Sequence, residues 1–274
     1  MKIVLLCSSD SNQKALACKI HDIKKIEQVI LYRNENKKNI SLLSLVNSFI
    51  KKTNTLITGL TYRRAWFGML NHYEKIFPNF PIPPVLEFSD INHHKVVECI
   101  SKSKPDLVIV SGTNLLRKPL IEEVSKYGKI MNLHTGLSPY IKGSPNCTNW
   151  CLALRKFGFI GNTIMWLDSG IDSGNIIISD TTTLTGKESL SDLHIKVMDH
   201  GHEMYINAIK KFVEGNNLPN ISQEEFSEKR LFLSKHWTLL QMIKGLINFY
   251  LFYKPGSKYF SIPEEVRMIK LYSS

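Results

Sequence analysis

The chain has 274 residues, 43% of them hydrophobic and 22% charged, with 35 Lys and Arg against 24 Asp and Glu for a formal charge of +11. That length accommodates one large α/β domain with a sizeable core and a short appendage, and the composition is ordinary for a soluble globular protein, with no window apolar enough to span a membrane. The positive charge predicts an anionic partner, for which nucleic acid, a phosphorylated metabolite, a polyglutamylated cofactor and a membrane surface all qualify. Five cysteines, Cys7, Cys18, Cys99, Cys147 and Cys151, form an odd set without metal-type pairing, which predicts reduced thiols in a cytoplasmic protein and no metal site. Cys147 and Cys151 share a helix face and read as packing residues.

Lys2 to Cys7 is a short apolar run closed by Ser8-Ser9-Asp10-Ser11-Asn12, without the long apolar region and cleavage site of a signal peptide, and it predicts a first strand. Asn12 to Ile20 follows with helical spacing, and Gln28 to Tyr32 is a second strand. From 37 to 70 the pattern is variable, with a helix expected around 41–51. There, Tyr62-Arg63-Arg64-Ala65-Trp66-Phe67 reads either as the amphipathic start of a helix or as a basic aromatic stretch that binds phosphate and stacks a base. Beyond the proline-rich 78–84, Val85 to Phe88 predicts a brief strand and Asn92 to Ser101 a helix. Pro105 to Gly112 is the clearest buried strand, and Pro119 to Tyr127 a helix with proline at its opening. Lys129 to Leu133 is the next strand, which puts Asn132 and His134 at a carboxyl end, the edge where open α/β sheets bind ligands. Asn146 to Phe157 reads as a helix, Asn162 to Leu167 and Gly174 to Asp180 as strands, and Ser189 to Val213 as a long amphipathic helix. This alternation predicts an α/β fold, a largely parallel sheet covered by helices on both faces. After Pro219 the character changes: 223–233 is charged and 236–253 is rich in aliphatic and aromatic residues, suited to covering a core edge, a subunit partner or, on another reading, a membrane surface.

Three polar residues stand out in this frame: the amide of Asn132, the imidazole of His134 and the carboxylate of Asp172 within Gly170-Ile171-Asp172-Ser173-Gly174. Together they can polarise a carbonyl and manage the proton of an attacking amine, which is acyl-transfer chemistry. Singly, each has a plain structural reading, as a strand-end cap, a satisfied core histidine and a turn aspartate.

The run Asn132-Leu133-His134-Thr135-Gly136-Leu137-Ser138-Pro139-Tyr140-Ile141-Lys142-Gly143 resembles the signature Asn-x-His-Pro-Ser-Leu-Leu-Pro-x-x-x-Gly, and Asn162 to Gly174 resembles its second block. On these blocks the chain is identified as similar, over Lys2 to Val213, to the formyltransferases that use 10-formyltetrahydrofolate, a family that includes glycinamide ribonucleotide, methionyl-tRNA and sugar-nucleotide N-formyltransferases. It departs from the pattern at Thr135, Gly136 and Lys142, where proline, serine and arginine are common. The resemblance implies a Rossmann-like formyltransferase domain over 1–215, a short, mainly helical extension over 216–274, and 10-formyltetrahydrofolate as co-substrate. It implies that Asn132 hydrogen-bonds the oxyanion formed when an amine attacks the formyl carbon. His134 then stabilises that oxyanion or relays the proton, while Asp172 sustains the imidazolium and orders a water. By the same resemblance Gly112, Thr113, Asn114, Leu115 and Leu116 present backbone groups to the pterin, with Leu167 and Ile171 on the other side. The loop from Ser8 resembles the phosphate loop of the glycinamide ribonucleotide enzymes, which makes Ser11 and Asn12 candidate acceptor contacts beside an opposing Asp10, and Lys142 is a third candidate. A purine-pathway enzyme is expected to end near the long helix, a methionyl-tRNA enzyme to carry a β-rich RNA-binding domain, and a deformylase to carry a preceding regulatory domain. By elimination, the expected acceptor is a nucleotide-linked amino sugar. Methionyl-tRNA and glycinamide ribonucleotide remain alternatives, as do a nucleic-acid-binding module and a non-catalytic folate-binding protein. A homodimer is allowed, and nucleic acid is disfavoured as a partner.

Overall fold

The computed structural model describes residues 1–33 and 49–271. In chain order its elements are β1 (Ile3–Ser8), α1 (Ser11–Ile23), β2 (Gln28–Tyr32), α2 (Phe49–Ile76), β3 (Leu86–Phe88), α3 (His94–Ser103), β4 (Leu107–Ser111), α4 (Lys118–Ser125) and β5 (Lys129–His134). There follow β6 (Lys142–Gly143), α5 (Cys147–Leu154), β7 (Gly161–Trp166), β8 (Ile176–Thr181), α6 (Leu190–Val213), β9 (Leu231–Phe232) and α7 (Leu239–Phe252). The helix expected around 41–51 lies mainly outside the described residues.

A seven-stranded sheet runs in the order β3-β2-β1-β4-β5-β7-β8. The first five strands are parallel, each joined to the next through a crossover, and the central β1 and β4 are buried along their whole length. Alternate residues sort cleanly between the faces. Ile3, Leu5, Leu107, Ile109, Met131 and Leu133 pack with α1 and α6, while Val4, Leu6, Val108, Val110 and Ile130 pack with α3 and α4. The α/β sheet with helices on both faces expected from the alternation is therefore present, but β7 runs against it, antiparallel to both β5 and β8. The connection from β7 to β8, 167–175, contains no helix, and without a crossover consecutive strands pair antiparallel. That loop starts opposite Ile130 of β5, and from it Asp172 reaches His134 at the strand's carboxyl end.

The Tyr62 to Phe67 stretch lies inside α2. Tyr62 and Ala65 are buried, the Tyr62 hydroxyl donates to the Met242 carbonyl at 3.1 Å, and the Arg63 guanidinium lies over the Phe67 ring. Residues beyond 215 fold back onto the sheet. Ile221 bridges to Ile176, the Ile269 amide donates to the Ser179 hydroxyl, and α7 lies on α5 with the Asn248 amide donating to the carbonyls of Leu152 and Ala153. Phe226, Phe249, Tyr253 and Ile269 fill a core shared with Leu137, Tyr140, Phe157 and Leu193. This segment is α-helical only over Leu239–Phe252, which corrects the mainly helical expectation: its remaining contacts are made by strand β9, short 3-10 turns and extended chain.

Candidate active site

The site begins with the two-residue repeat of β5. Met131 and Leu133 enter the core beneath α6, so Asn132 and His134 share the opposite face at the strand's carboxyl end. Parallel pairing sets Asn132 opposite Val110 of β4, and antiparallel pairing sets His134 opposite Thr163 of β7. The Thr163 hydroxyl donates to the Gly136 carbonyl at 2.8 Å and accepts from the Ser138 amide at 2.9 Å, pinning the turn that follows the histidine.

His134 is 8% exposed, and both its nitrogens face protein groups. Nδ1 lies 3.3 Å from Oδ2 of Asp172, which also accepts the backbone N–H of Gly143 at 3.0 Å. Nε2 lies 3.5 Å from the sulfur of Cys147. Burial, reinforced by Cys151 and the Asp172 carboxylate, pushes the Cys147 thiol well above its ordinary pKa, so it is a neutral wall of the site and not a nucleophile. Cys147 therefore touches the imidazole as well as filling space, which adds to the packing role expected for it. Gly136 completes this arrangement. A Cβ there would run into Nε2 of His134 and sit 2.8 Å from the Cys147 sulfur and 2.7 Å from the Ile141 carbonyl, so the serine common at this position does not fit.

A cavity of about 480 Å³ opens over these groups. Asn132, His134 and Asp172 line it together with Gly112, Thr113, Asn114, Leu115, Leu116, Leu167 and Ile171, so the ten residues expected to catalyse and to hold the folate converge on one space. Among the described residues the Asn132 carboxamide has no hydrogen-bond partner, which leaves its donors for a ligand. The side chain of Asn114, in contrast, is used in the fold. Its amide donates to Asp90 at 2.8 Å and its carbonyl accepts the Ile91 N–H, while Asn92 donates to the Leu115 carbonyl. Hydrogen bonds from Asn114 and Asn92, with Arg117 nearby, hold the Asp90 carboxyl down at about 2. A stable ionised anchor thus fixes the Gly112–Leu116 segment.

Three expected acceptor contacts lie elsewhere. Ser11 is buried with its hydroxyl on the Leu70 carbonyl, and Asn12 is buried with its amide on the Met198 sulfur; both begin α1 and face α2 and α6. Lys142 is on β6, but its ammonium is held by Gln223 at 3.2 Å and it is not part of the cavity wall. Among the described residues no Lys or Arg lines the cavity, and no cluster of three His, Cys, Asp or Glu could hold a metal. No described helix is long and apolar enough to cross a membrane.

The formyl transferase family model matches residues 1–209, which span the sheet, the His134 strand and the Asp172 loop. The chain belongs to the formyl transferase family. A methionyl-tRNA formyltransferase from Clostridium tetani is 30% identical over 162 residues, covering 56% of this chain and 51% of that protein. One from Clostridium perfringens is 28% identical over 147 residues, covering 54% and 46%. This formyl transferase chain thus spans about half the length of the curated relatives it matches. Among solved structures, a sugar N-formyltransferase from Shewanella sp. superposes with a TM-score of 0.55 at 14% identity over 90% of this chain and 88% of that one. The N-formyltransferase from Helicobacter canadensis, in complex with folinic acid and dTDP-3-aminofucose, has a TM-score of 0.55 at 14% identity over 90% and 81%. At these identities the two structures establish the shared fold.

Gln223 and Gly143 were not found in the sequence as site residues. Gln223 sits in a charged stretch, 51 positions from the loop it touches, and nothing in its neighbours marks it. Gly143 is the closing glycine of the first block, so its place in the motif was the available signal.

Proposed function

We propose that this protein transfers a formyl group from 10-formyltetrahydrofolate to a primary amine, and that the amine belongs to a nucleotide-linked amino sugar. The observation that carries the reading is the convergence of Asn132, His134 and Asp172 on one face of the cavity, with His134 and Asp172 in contact at 3.3 Å. The cavity suits a folate: the Gly112–Leu116 segment lies along it beside Leu167 and Ile171, and apolar walls with backbone hydrogen-bonding groups hold flat heterocycles. When bound, the folate supplies the formyl carbon. The Asn132 amide donates to the formyl oxygen and stabilises the charge that grows there. His134, held through Nδ1 by Asp172, stabilises that charge and carries the amine's proton, directly or through a water held by Asp172. Walls of leucine, isoleucine and the neutral Cys147 thiol strengthen these electrostatic contacts.

The sugar-nucleotide acceptor is favoured by likeness over 90% of this chain to the Shewanella sugar N-formyltransferase and to the N-formyltransferase whose complex holds dTDP-3-aminofucose. A charge of +11 suits a diphosphate. A methionyl-tRNA acceptor is the second reading, motivated by the 30% identity to the Clostridium tetani enzyme. The two separate when purified protein is incubated with 10-formyltetrahydrofolate and, in turn, amino-sugar nucleotides, glycinamide ribonucleotide and charged initiator tRNA. Tetrahydrofolate release with an amino-sugar nucleotide alone supports the reading, and release only with tRNA replaces it.

A further inference from the structure

We infer that Gln223 and β9, which lie beyond the long helix α6, are the positioning device for Asp172, and that without them the His134–Asp172 contact is not held. The inference rests on the formyl-transfer reading for its kinetic readouts and assigns a task to the segment after α6.

Asp172 adopts φ of +47°, a left-handed conformation uncommon outside glycine but open to aspartate, and Gln223 ties the turn that carries it. Gln223 is 4% exposed, its Nε2 donates to the carbonyls of both Asp172 and Gly174 at 2.8 Å, and its Oε1 accepts from the Lys142 ammonium at 3.2 Å. Both amide protons and the amide oxygen are thereby used, and the two carbonyls that bracket the turn are tied to one planar group. Gln223 is itself fixed in place. Ile221 pairs with Ile176 through reciprocal backbone bonds of 2.8 and 3.0 Å, and Ser222 caps the short turn that begins at Gln223.

β9 secures the carboxylate side. Leu231 and Phe232 pair in parallel with Lys142 and Gly143, and flanking bonds run from the Lys142 amide to the Arg230 carbonyl and from the Ser144 amide to the Phe232 carbonyl. Gly143 has φ of +102°, and a Cβ there would strike the Phe232 carbonyl, so β9 lies directly against it. In this conformation the Gly143 N–H points at Oδ2 of Asp172. The same segment therefore grips Asp172 twice, by its backbone through Gln223 and by its carboxylate through the strand that β9 holds.

A residue that only completes a turn would change stability and leave chemistry alone; a positioning residue acts through Asp172. Gln223→Leu removes both donors at similar size. We expect kcat to fall at least tenfold, with KM for 10-formyltetrahydrofolate within threefold of wild type. In a double-mutant cycle, Gln223→Leu combined with Asp172→Asn is expected to be no slower than Asp172→Asn alone, because Gln223 has then lost the group it acts through. Hydrogen exchange at the Gly143 amide, which needs no activity, is expected to quicken at least tenfold in Gln223→Leu. Gln223→Asn keeps the amide on a shorter arm and is expected to fall between wild type and the leucine variant. It also serves if the leucine variant does not melt cooperatively. Unchanged kcat, multiplicative effects in the cycle, or unchanged Gly143 exchange in a folded variant would overturn the inference. If wild type formylates no amine, the functional reading fails, and the Gly143 exchange still decides whether Gln223 positions Asp172.

Discussion

Oδ2 of Asp172 stands 3.3 Å from Nδ1 of His134 while accepting the backbone N–H of Gly143. The carboxylate thus has two partners, one that fixes it and one that it orients. The other imidazole nitrogen lies 3.5 Å from the Cys147 sulfur, and His134, Cys147 and Asn132 all line the cavity.

Removing the carboxylate while keeping its shape should expose its role. Asp172→Asn is expected to melt within about 1 kcal/mol of wild type and to lose about 100-fold or more in kcat, the scale of positioned acid–base assistance. Stopped-flow or steady-state release of tetrahydrofolate, beside a thermal melt, checks both halves.

Asn132→Ala is expected to lower kcat by about 10²–10³, the usual loss for one oxyanion donor, with a small change in KM. A fall in which KM rises and kcat holds would instead make Asn132 a ground-state contact.

Gly136 separates this chain from the common family pattern. Gly136→Ser pushes a side chain against His134 and Cys147, and is expected to cost about 1–3 kcal/mol in a urea titration and to lower kcat more than tenfold. Cys147→Ala, which removes only the sulfur beside Nε2, is expected to be milder on both measures. Adding it to Gly136→Ser should recover part of the loss.

The sequence made the site legible wherever spacing along a strand or within one motif decided geometry. The two-residue separation of Asn132 and His134 determined a shared face, and the strand ending at β4 determined where Gly112–Leu116 would lie. Contacts set by tertiary packing were not legible. Ser11 and Asn12 belong to a loop that resembles a phosphate loop in sequence, yet α2 and α6 cover them. Lys142 occupies a motif position whose side chain is engaged by a residue 81 positions away. The antiparallel pairing of β7 with β8 followed from the absence of a helix over 167–175, a feature readable in the chain but masked by the regular alternation before it.

Asp90 offers a separate control on the folate side. Its carboxylate holds Asn114 and, with Asn92, the Gly112–Leu116 segment, so Asp90→Ala is expected to raise KM for 10-formyltetrahydrofolate at least fivefold and to leave kcat within twofold. Initial-rate measurements over a folate series check this.

Stability should fall on mild acidification for a reason remote from the site. Burial lowers His194 to about 4 and His202 to about 3, the latter helped by Lys19. Below the unfolded histidine value near 6.5 the unfolded chain takes up protons that the folded chain does not, so stability present above that value is lost as pH falls toward 4. At pH 5 the loss is roughly 2 kcal/mol for each histidine. Urea titrations at pH 7 and pH 5 measure it, and a His194→Leu, His202→Leu double variant should flatten the dependence.

The most direct test of the account is a single-turnover assay in which wild-type protein and Asp172→Asn are each mixed with 10-formyltetrahydrofolate and an amino-sugar nucleotide, and the N-formylated sugar and tetrahydrofolate are quantified together. Wild type is expected to give equal amounts of the two products, and Asp172→Asn a rate at least 100-fold lower. No formylated sugar with wild type, or an undiminished rate with Asp172→Asn, would contradict it.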